Sequence, residues 1–318
     1  MLFVLALSIG CTPDGAANTQ QPPSRPSRSL DSVSVSGGTL HYRTAGRGEA
    51  VVLLSGGPGL ASDFLEPVFE HVAARRRAVL IDQRGTGRSA GFVDSTRFTL
   101  SHAVDDIEAV RRRLGVEHIA LFGHSWGGAL AMAYAARYPE HVSGLLLVGT
   151  GSLRPEASNA DISRRLRDRL TRADMDSIRV LAALASSPAH HDSALRVIRL
   201  LNWKAYEYDP ANAAVLAPLL TPQSFNDRTA RLMNADLVRH GPSFAAQLEA
   251  SQLAREIPTL IAYGEVDQIG LVTRAEIQSV FPHAQVQVIP RSGHHPWIES
   301  PSLFYRVTDD FLGGIDAR

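Results

Sequence analysis

Three side chains of this sequence could together carry out acyl transfer: a serine, an aspartate and a histidine. Ser125 lies in Gly123-His124-Ser125-Trp126-Gly127-Gly128, after a short apolar run and before a segment typical of a helix. A serine flanked by glycines at such a junction matches the nucleophile-elbow pattern G-x-S-x-G, whose sharp turn requires small neighbours. The turn lifts the hydroxyl clear of the sheet at the positive end of a helix. A glycine-rich turn with an incidental serine is the alternative interpretation.

A nucleophilic serine needs a base, a carboxylate that orients the base, and donors for an oxyanion. Asp267 follows one predicted strand and His294 follows the next, which gives the chain order Ser, Asp, His expected at the carboxyl ends of strands. We expect Asp267 to hold the imidazole of His294, and His294 to take the proton of Ser125 and return it to the leaving group. Glu265 competes with Asp267 for this role, and His295 competes with His294.

The oxyanion donors are expected on two backbone segments. One is the N–H of Trp126, directly after the serine. The other lies in the loop Gly56-Gly57-Pro58-Gly59, where Gly57 is our choice. Glycines let the backbone approach a ligand closely because no side chain intrudes. These glycines could also serve the turn alone.

The elements that must position these groups alternate along the chain. Strands are predicted at Val33–Val35, Thr39–Thr44, Ala50–Leu54, Ala78–Ile81, Glu117–Phe122, Val142–Val148, Ile257–Tyr263 and Gln285–Ile289. Helices are predicted at Ser62–Ala74, Ser101–Leu114 (with Ser101 as its cap), Ala129–Arg137 and Ser302–Leu312. Buried strands alternating with helices predict an α/β fold, a mostly parallel central sheet with helices on both faces.

The alternation stops after Gly151. Residues 152–251 contain amphipathic helical stretches and no clear strand pattern; the stretches are Asp161–Arg172, Asp174–Ala185 and Ser193–Tyr208. We therefore predict a helical lid at residues 152–251, inserted into one core formed by residues 31–151 and 252–318.

Composition narrows the functional classes. The chain has 318 residues, 44% of them hydrophobic and 20% charged, which suits one large globular domain or a domain with an insertion. The 32 basic side chains balance the 32 acidic ones, which argues against a nucleic-acid partner. Cys11 is the single cysteine, so an intrachain disulfide and a Cys-based zinc site are excluded. No metal site and no organic cofactor is implied.

Residues 1–30 are expected to lie outside the folded core. Met1–Gly10 is apolar, too short to span a bilayer, and looks like the hydrophobic part of a signal peptide. It leads into Leu7-Ser8-Ile9-Gly10-Cys11, which resembles a bacterial lipobox, so Cys11 is a candidate for lipidation and membrane attachment. Thr12–Leu30 is polar and Pro-rich, as in a flexible tether. We expect export to the periplasm or membrane; a plain cleaved signal is one alternative, and a wrongly assigned start codon, which gives a cytoplasmic protein, is another.

Taken together, these residues resemble the α/β-hydrolase family, and within it the prolyl iminopeptidases and related serine aminopeptidases. The resemblance extends over about Val33 to Leu312 and is weakest in the lid. The segments that carry it are Gly56-Gly57-Pro58-Gly59, Asp82-Gln83-Arg84-Gly85-Thr86-Gly87-Arg88-Ser89, Gly123-His124-Ser125-Trp126-Gly127-Gly128, and Gly293-His294 with Glu299-Ser300-Pro301. The resemblance implies the α/β-hydrolase fold with an inserted lid.

The subfamily also implies a substrate, since prolyl iminopeptidases release an N-terminal residue, often proline. They bind its ammonium with lid glutamates, one of them in a W-x-x-W-E helix. Trp203-Lys204-Ala205-Tyr206-Glu207 matches this motif with Tyr for the second Trp, so Glu207 is the ammonium-binding candidate. Trp203 and Gly56 are further candidates for substrate binding.

Two positions depart from the subfamily. Met233 stands where an R-x-E-N segment has a second glutamate, and Ser55 stands where the glycine loop begins with His. These departures bear on specificity for proline and leave the Ser, Asp and His residues unaffected.

From the triad and the resemblance together, we expect a serine hydrolase with an acyl-enzyme mechanism, most simply an aminopeptidase acting on short peptides. A carboxylesterase or lactonase acting on uncharged acyl substrates is the alternative, and a non-catalytic binding lipoprotein is a third hypothesis. Epoxide hydrolase and dehalogenase chemistry is disfavoured because those relatives carry an Asp nucleophile at the elbow.

Overall fold

The computed structural model describes residues 27–219 and 224–316. Cys11 and the predicted signal segment lie outside these residues, so export and lipidation stay predictions. Within the described part of the chain, no helix is both long and apolar enough to cross a bilayer.

One mixed sheet runs through the described residues. Its strands are β1 (Arg28–Val35), β2 (Gly38–Ala45), β3 (Ala50–Leu54), β4 (Arg77–Asp82), β5 (Ile119–His124), β6 (Val142–Val148), β7 (Thr259–Gly264) and β8 (Gln285–Ile289). Their spatial order is β1-β2-β4-β3-β5-β6-β7-β8. The hairpin β1-β2 is antiparallel and β2 pairs antiparallel with β4, whereas all pairs from β4-β3 onward are parallel. The carboxyl ends of the parallel strands therefore meet at one edge, as the fold prediction requires.

Helices cover the sheet and fill the insertion between β6 and β7. Those outside the insertion are α1 (Glu66–Ala73), α2 (Leu100–Leu114), α3 (Trp126–Arg137), α10 (Gln268–Val280), α11 (Pro296–Glu299) and α12 (Pro301–Asp316). Those inside it are α4 (Pro155–Asp168), α5 (Arg172–Leu184), α6 (His191–Lys204), α7 (Ala213–Leu216), α8 (Asp227–Ala250) and α9 (Gln252–Arg255). We use the name lid from here on for the whole insertion between the end of β6 and the start of β7, which includes α9.

Hydrophobic side chains divide between two cores, one on each face of the sheet. Along β3, Val52 and Leu54 belong to the core that α2, α3 and α10 cover. Val51 and Leu53 belong to the core that α1 and α12 cover. Every residue of β3 is buried, as expected for a strand covered on both faces.

The longest lid helix, α8, is also part of the main core. Its residues Met233, Leu237, Phe244 and Leu248 are buried in the same hydrophobic cluster as α3. Burial of these apolar side chains stabilises the helix through tertiary packing, at about 25 cal/mol per Å² of apolar area removed from water. The lid therefore has a fixed base on the core.

Element ends differ from the prediction where local hydrogen bonds decide them. β1 begins at Arg28 rather than at Val33, because its pairing with β2 extends that far, so residues 28–30, which we expected in the flexible tether, belong to the sheet. The cap of α2 is Thr99, whose hydroxyl oxygen accepts the backbone N–H of His102 at 3.2 Å, so the predicted cap Ser101 lies inside the helix. The sequence prediction named Ser101 and did not consider Thr99.

Two predicted helices have different limits in the structure. Ser62–Ala74 is divided into a 3-10 turn (Ser62–Leu65) and α1, whose first turn contains Pro67. Proline is tolerated there because the first N–H groups of a helix have no partner within it. The helix predicted over Asp161–Arg172 ends earlier, since Thr171 forms a capping box that starts α5.

A buried ion pair fixes the loop after β4 to α2. The guanidinium of Arg84 donates to both carboxylate oxygens of Asp106, at 2.7 and 2.8 Å. Arg84 also donates to the backbone carbonyls of Arg97 and His102, at 2.7 and 3.1 Å. The Arg of the D-Q-R-G segment is therefore a structural residue that holds the loop carrying Gln83.

We expect Arg84→Met to lower the free energy of unfolding by about 3–5 kcal/mol, because it leaves the buried Asp106 carboxylate unpaired. Urea unfolding followed by circular dichroism measures the change. Arg179→Met, which removes a solvent-exposed pair with Asp176 in the lid, is the control and should cost less than about 1 kcal/mol. Equal losses in the two variants would contradict this assignment.

Candidate active site

Ser125 occupies a strained turn between β5 and α3. β5 continues to His124 and α3 begins at Trp126, so the serine alone joins the two elements. Its backbone torsions are φ 56° and ψ −118°, a sparsely populated conformation for a residue with a side chain. Such strain costs on the order of 1–3 kcal/mol and persists only where surrounding structure imposes it. Here the N–H of Ser125 donates to the carbonyl of Val148 at 3.0 Å.

Close backbone approach explains the glycines of the turn. A Cβ on Gly127 would lie 2.1 Å from the carbonyl oxygen of Leu54, at the end of β3. A Cβ on Gly123 would lie 2.5 Å from the carbonyl oxygen of Gly127. Neither position can hold a side chain, so the G-x-S-x-G pattern is a packing requirement of this chain.

Asp267 and His294 are brought together at the ends of β7 and β8. The Nδ1–H of His294 donates to Oδ1 of Asp267 at 3.0 Å, and both side chains are buried. The same Oδ1 accepts the N–H of Ile269 at 3.0 Å, so Asp267 also caps α10. Glu265, the competing carboxylate, is exposed and accepts the N–H of Arg291. Capping and imidazole binding are thus combined in one carboxylate.

The backbone around His294 is held from several directions. The N–H of His294 donates to the carbonyl of Tyr206 in the lid at 2.8 Å. The carbonyl of His294 accepts Nε2–H of His124, at the end of β5, at 3.0 Å. Burial and the neighbouring His294 and His295 hold the pKa of His124 well below its usual 6.5, so this imidazole is neutral. His124 is therefore a structural neighbour of the serine that anchors the histidine loop.

Glu299 explains the closing E-x-P of the sequence resemblance. Its two oxygens accept four donors, which come from both the histidine loop and the lid: the N–H of Gly293 at 2.6 Å, the N–H groups of Tyr208 and Asp209 at 3.0 Å, and the Asn212 amide at 2.9 Å. One carboxylate thereby ties the lid segment after α6 to the loop that carries His294.

Gln83 also joins two segments by hydrogen bonds, in this case the glycine loop and the turn that carries Ser125. Its amide nitrogen donates to the carbonyl of Ser55 at 2.8 Å, at the start of the glycine loop. Its amide oxygen accepts the indole N–H of Trp126 at 2.9 Å. The Gln of the D-Q-R-G segment thus fixes the glycine loop relative to the turn that carries Ser125. This role explains why both segments belong to one sequence signature.

Two cavities meet at Ser125. The smaller, about 200 Å³, is also lined by His294, His295, Trp203 and Gly56. The larger, about 480 Å³, lies under the lid helices α4 and α8. Ser125, Gly57 and Tyr206 line both. No hydrogen bond joins the side chains of Ser125 and His294 in the described structure; catalytic contacts of this kind are often long before substrate binds.

The predicted oxyanion donors flank the serine. The N–H of Trp126 is the first of α3, and the first N–H groups of a helix have no acceptor within it. Gly57 lines both cavities, and a Cβ on the adjacent Gly56 would lie 3.2 Å from Cβ of Ser125, so the loop is in contact with the serine. The positions suit two donors that converge on a carbonyl oxygen, and their role stays a prediction.

Glu207 lies behind the cavity wall. Its side chain is 0% exposed, and its Oε1 accepts Nδ1–H of His295 at 2.5 Å. The other oxygen, Oε2, is buried with no hydrogen-bond partner among the described groups. The sequence singled out Glu207 through the lid motif but treated His295 only as a competitor of His294, since nothing in the spacing links residues 207 and 295. Trp203 and Gly56 line the smaller cavity, and their role in substrate binding stays a prediction.

Comparison with known proteins identifies the family to which this fold belongs. A family model described as the alpha/beta hydrolase fold matches residues 49–301, which is most of the chain. The chain belongs to the α/β-hydrolase family. This membership supports a hydrolase, and the mostly parallel sheet covered by helices is the fold of the family.

Named relatives of this hydrolase include proline iminopeptidases. The chain is 31% identical over 292 residues to the proline iminopeptidase of Xanthomonas citri, covering 86% of this chain and 93% of the relative. It is 30% identical over 281 residues to that of Xylella fastidiosa (strain 9a5c), covering 80% and 87%. A solved structure of a proline iminopeptidase-related protein from Thermus thermophilus covers 91% of this chain and 98% of its own, with a TM-score of 0.67 at 23% identity.

We expect the stability of this hydrolase to fall below pH 6.5 partly because of His124. Its pKa is lowered in the folded state, so below 6.5 the unfolded chain binds a proton that the folded chain does not. His124→Gln keeps an N–H donor without titrating. Urea unfolding at pH 7.5 and 5.5 should show a smaller loss of stability in the variant, by up to about 1.4 kcal/mol per pH unit. An unchanged loss would argue against a neutral His124.

Proposed function

We propose that this hydrolase uses Ser125 as a nucleophile in an acyl-enzyme mechanism. The observation that carries the proposal is the buried hydrogen bond between Asp267 and His294 beside a cavity that His294 shares with Ser125. Asp267 keeps a proton on Nδ1 of His294, which leaves Nε2 free to accept the proton of the serine hydroxyl. Both partners are buried, so little solvent competes for this interaction.

The reaction follows from these positions. Oγ of Ser125 bonds to the substrate carbonyl carbon while its proton moves to Nε2 of His294. The N–H groups of Gly57 and Trp126 stabilise the oxyanion of the tetrahedral intermediate. His294 gives the proton to the leaving group as the scissile bond breaks, and an acyl-serine remains. Water then attacks the acyl-serine with the same proton transfers, which releases the acid and restores the hydroxyl.

For the substrate we propose the N-terminal residue of a short peptide, proline or another residue. Two relatives that are about 30% identical over most of the chain carry the name proline iminopeptidase, which supports this choice. The buried Glu207, in contact with a cavity-lining histidine, supplies the negative charge that an ammonium requires. A carboxylate shielded from water attracts an ammonium far more strongly than one at the surface.

A carboxylesterase or lactonase is the second candidate, and two observations favour it. Met233, at the position of the subfamily's second glutamate, is buried in the core. The larger cavity is lined by apolar side chains, small hydroxyls and amides and by no Asp, Glu, Lys or Arg among the described residues, which suits an uncharged group. The two candidates share the triad and differ in whether a charge on the substrate is used.

Fluorophosphonate labelling tests the nucleophile. We expect covalent labelling at Ser125, and its loss in Ser125→Ala, because only an activated serine reacts. Asp267→Asn should slow labelling by about 10³–10⁴-fold, since the imidazole is then held in the wrong tautomer. Glu265→Gln, on the same loop but exposed, is the matched control and should label like the wild type. A protein that is not labelled would support a non-catalytic binding role.

Paired substrates test the aminopeptidase proposal. Glu207→Gln keeps an acceptor for His295 but removes the charge, so kcat/KM for aminoacyl p-nitroanilides should fall at least about tenfold, equivalent to 1.4 kcal/mol. Hydrolysis of p-nitrophenyl esters by the same variant should change by less than about twofold, because those substrates carry no ammonium. Equal loss on both substrates, or no loss on either, would remove the aminopeptidase proposal and leave the esterase.

A further inference from the structure

The site contains two carboxylate–imidazole pairs side by side. Asp267 accepts Nδ1–H of His294 at 3.0 Å, and Glu207 accepts Nδ1–H of His295 at 2.5 Å. The two imidazole ring centroids are 5.3 Å apart, with an interplanar angle of 79°. The second pair therefore repeats the hydrogen-bonding arrangement of the first and borders the same small cavity.

The two members of the second pair differ in access to that cavity. His295 lines it together with Ser125, whereas Glu207 is fully buried and is not part of the lining. Because Nδ1 of His295 is occupied by Glu207, Nε2 is the ring nitrogen left for a ligand. A substrate group in the cavity can therefore contact the imidazole of His295. The carboxylate of Glu207 lies on the far side of that ring, away from the cavity.

We propose that His295 is the residue that contacts the substrate amine, and that Glu207 is a positioning residue that acts through it. This inference rests on the proposed aminopeptidase function. With Nδ1–H donated to Glu207, Nε2 carries a lone pair that accepts an N–H of the amine. The carboxylate fixes this tautomer and adds its negative charge across the ring in surroundings that exclude water.

Substrate geometry favours a contact at this position. In an N-terminal residue, only Cα separates the amine nitrogen from the scissile carbonyl carbon, so the two atoms are about 2.5 Å apart. When the carbonyl carbon reaches Ser125, the amine must lie beside it, in one of the two cavities that meet there. Of these two, the small cavity is the one that His295 lines. His295 is a polar side chain of that cavity besides the pair already assigned to proton transfer, Ser125 and His294.

The neighbours of His295 are compatible with an amine. His124, on the β5 side, is neutral because its pKa is lowered by burial and by the adjacent imidazoles. Arg199, on the α6 side of the cavity, is paired with Asp227 at 2.6 Å and lies over the ring of Phe225. Its charge is therefore balanced before any substrate arrives, and it opposes an ammonium only weakly.

Aromatic rings fix the orientation of the imidazole. Phe64 and Trp297 meet His295 edge to face at centroid distances of 6.2 and 5.3 Å, and Trp203 does so at 6.1 Å. Three aromatic contacts and a hydrogen bond leave the ring little freedom to turn, so Nε2 points in one direction. A fixed acceptor loses little entropy when it binds a ligand, which is how a preorganised contact gains affinity.

The test compares His295→Gln and His295→Leu with the wild type on two substrates, an aminoacyl p-nitroanilide and p-nitrophenyl acetate. We expect KM for the aminoacyl anilide to rise at least tenfold in His295→Leu, with kcat within threefold. Turnover of p-nitrophenyl acetate and fluorophosphonate labelling of Ser125 should stay within twofold of the wild type. The labelling rate also shows that each variant is folded, and His295→Gln serves if the leucine variant is not.

A double variant shows whether Glu207 contacts the substrate amine itself or only positions His295. If Glu207 acts through His295, adding Glu207→Gln to His295→Leu should change KM for the aminoacyl anilide by less than twofold. A further tenfold rise would show that Glu207 meets the amine directly and would overturn the inference, as would an unchanged KM in both single variants of His295. If the wild type is labelled but cleaves no aminoacyl anilide, the aminopeptidase proposal itself fails, and this inference fails with it.

Discussion

The position of one imidazole depends on backbone hydrogen bonds that come from three separate parts of the chain. The N–H of His294 is bound by the lid through Tyr206, its carbonyl by His124 at the end of β5, and the preceding N–H by Glu299. Removing any one of these leaves a buried peptide group without a partner, which costs about 1–3 kcal/mol. The catalytic geometry that we propose therefore depends on the lid as much as on the sheet.

The residues of the sequence signatures act mainly as supports. Gln83 connects the glycine loop to Trp126, Arg84 fixes the loop that carries Gln83, and Glu299 joins the lid to the histidine loop. Asp267 combines a helix cap with a hydrogen bond to His294. In this way the strained turn at Ser125 is surrounded by groups whose own positions are fixed, as preorganised sites require.

Features that depend on residues close together in the chain, such as strands and tight turns, could be predicted from the sequence. Strand patterns gave the bounds of β3, β6 and β8 as the structure has them, and glycine spacing identified the turn at Ser125. Side-chain pairs distant in sequence leave no such pattern, so the bond between Glu207 and His295 was not foreseen, and neither was the anchoring role of His124. The cap of α2 was predicted two residues too late, at Ser101, because the hydrogen bond that makes Thr99 the cap is visible only in the structure.

The four donors on Glu299 have a consequence for evolution. Because one carboxylate joins the lid segment after α6 to the histidine loop, this part of the lid cannot be exchanged or shortened as an independent module. Descendants that acquire new specificity are expected to vary the residues of α4 that line the larger cavity, and to keep the peptide stretch that begins at Tyr206, to which Arg169 after α4 also donates. Evolutionary change in the lid is therefore expected in its cavity-lining part rather than at its junction with the histidine loop.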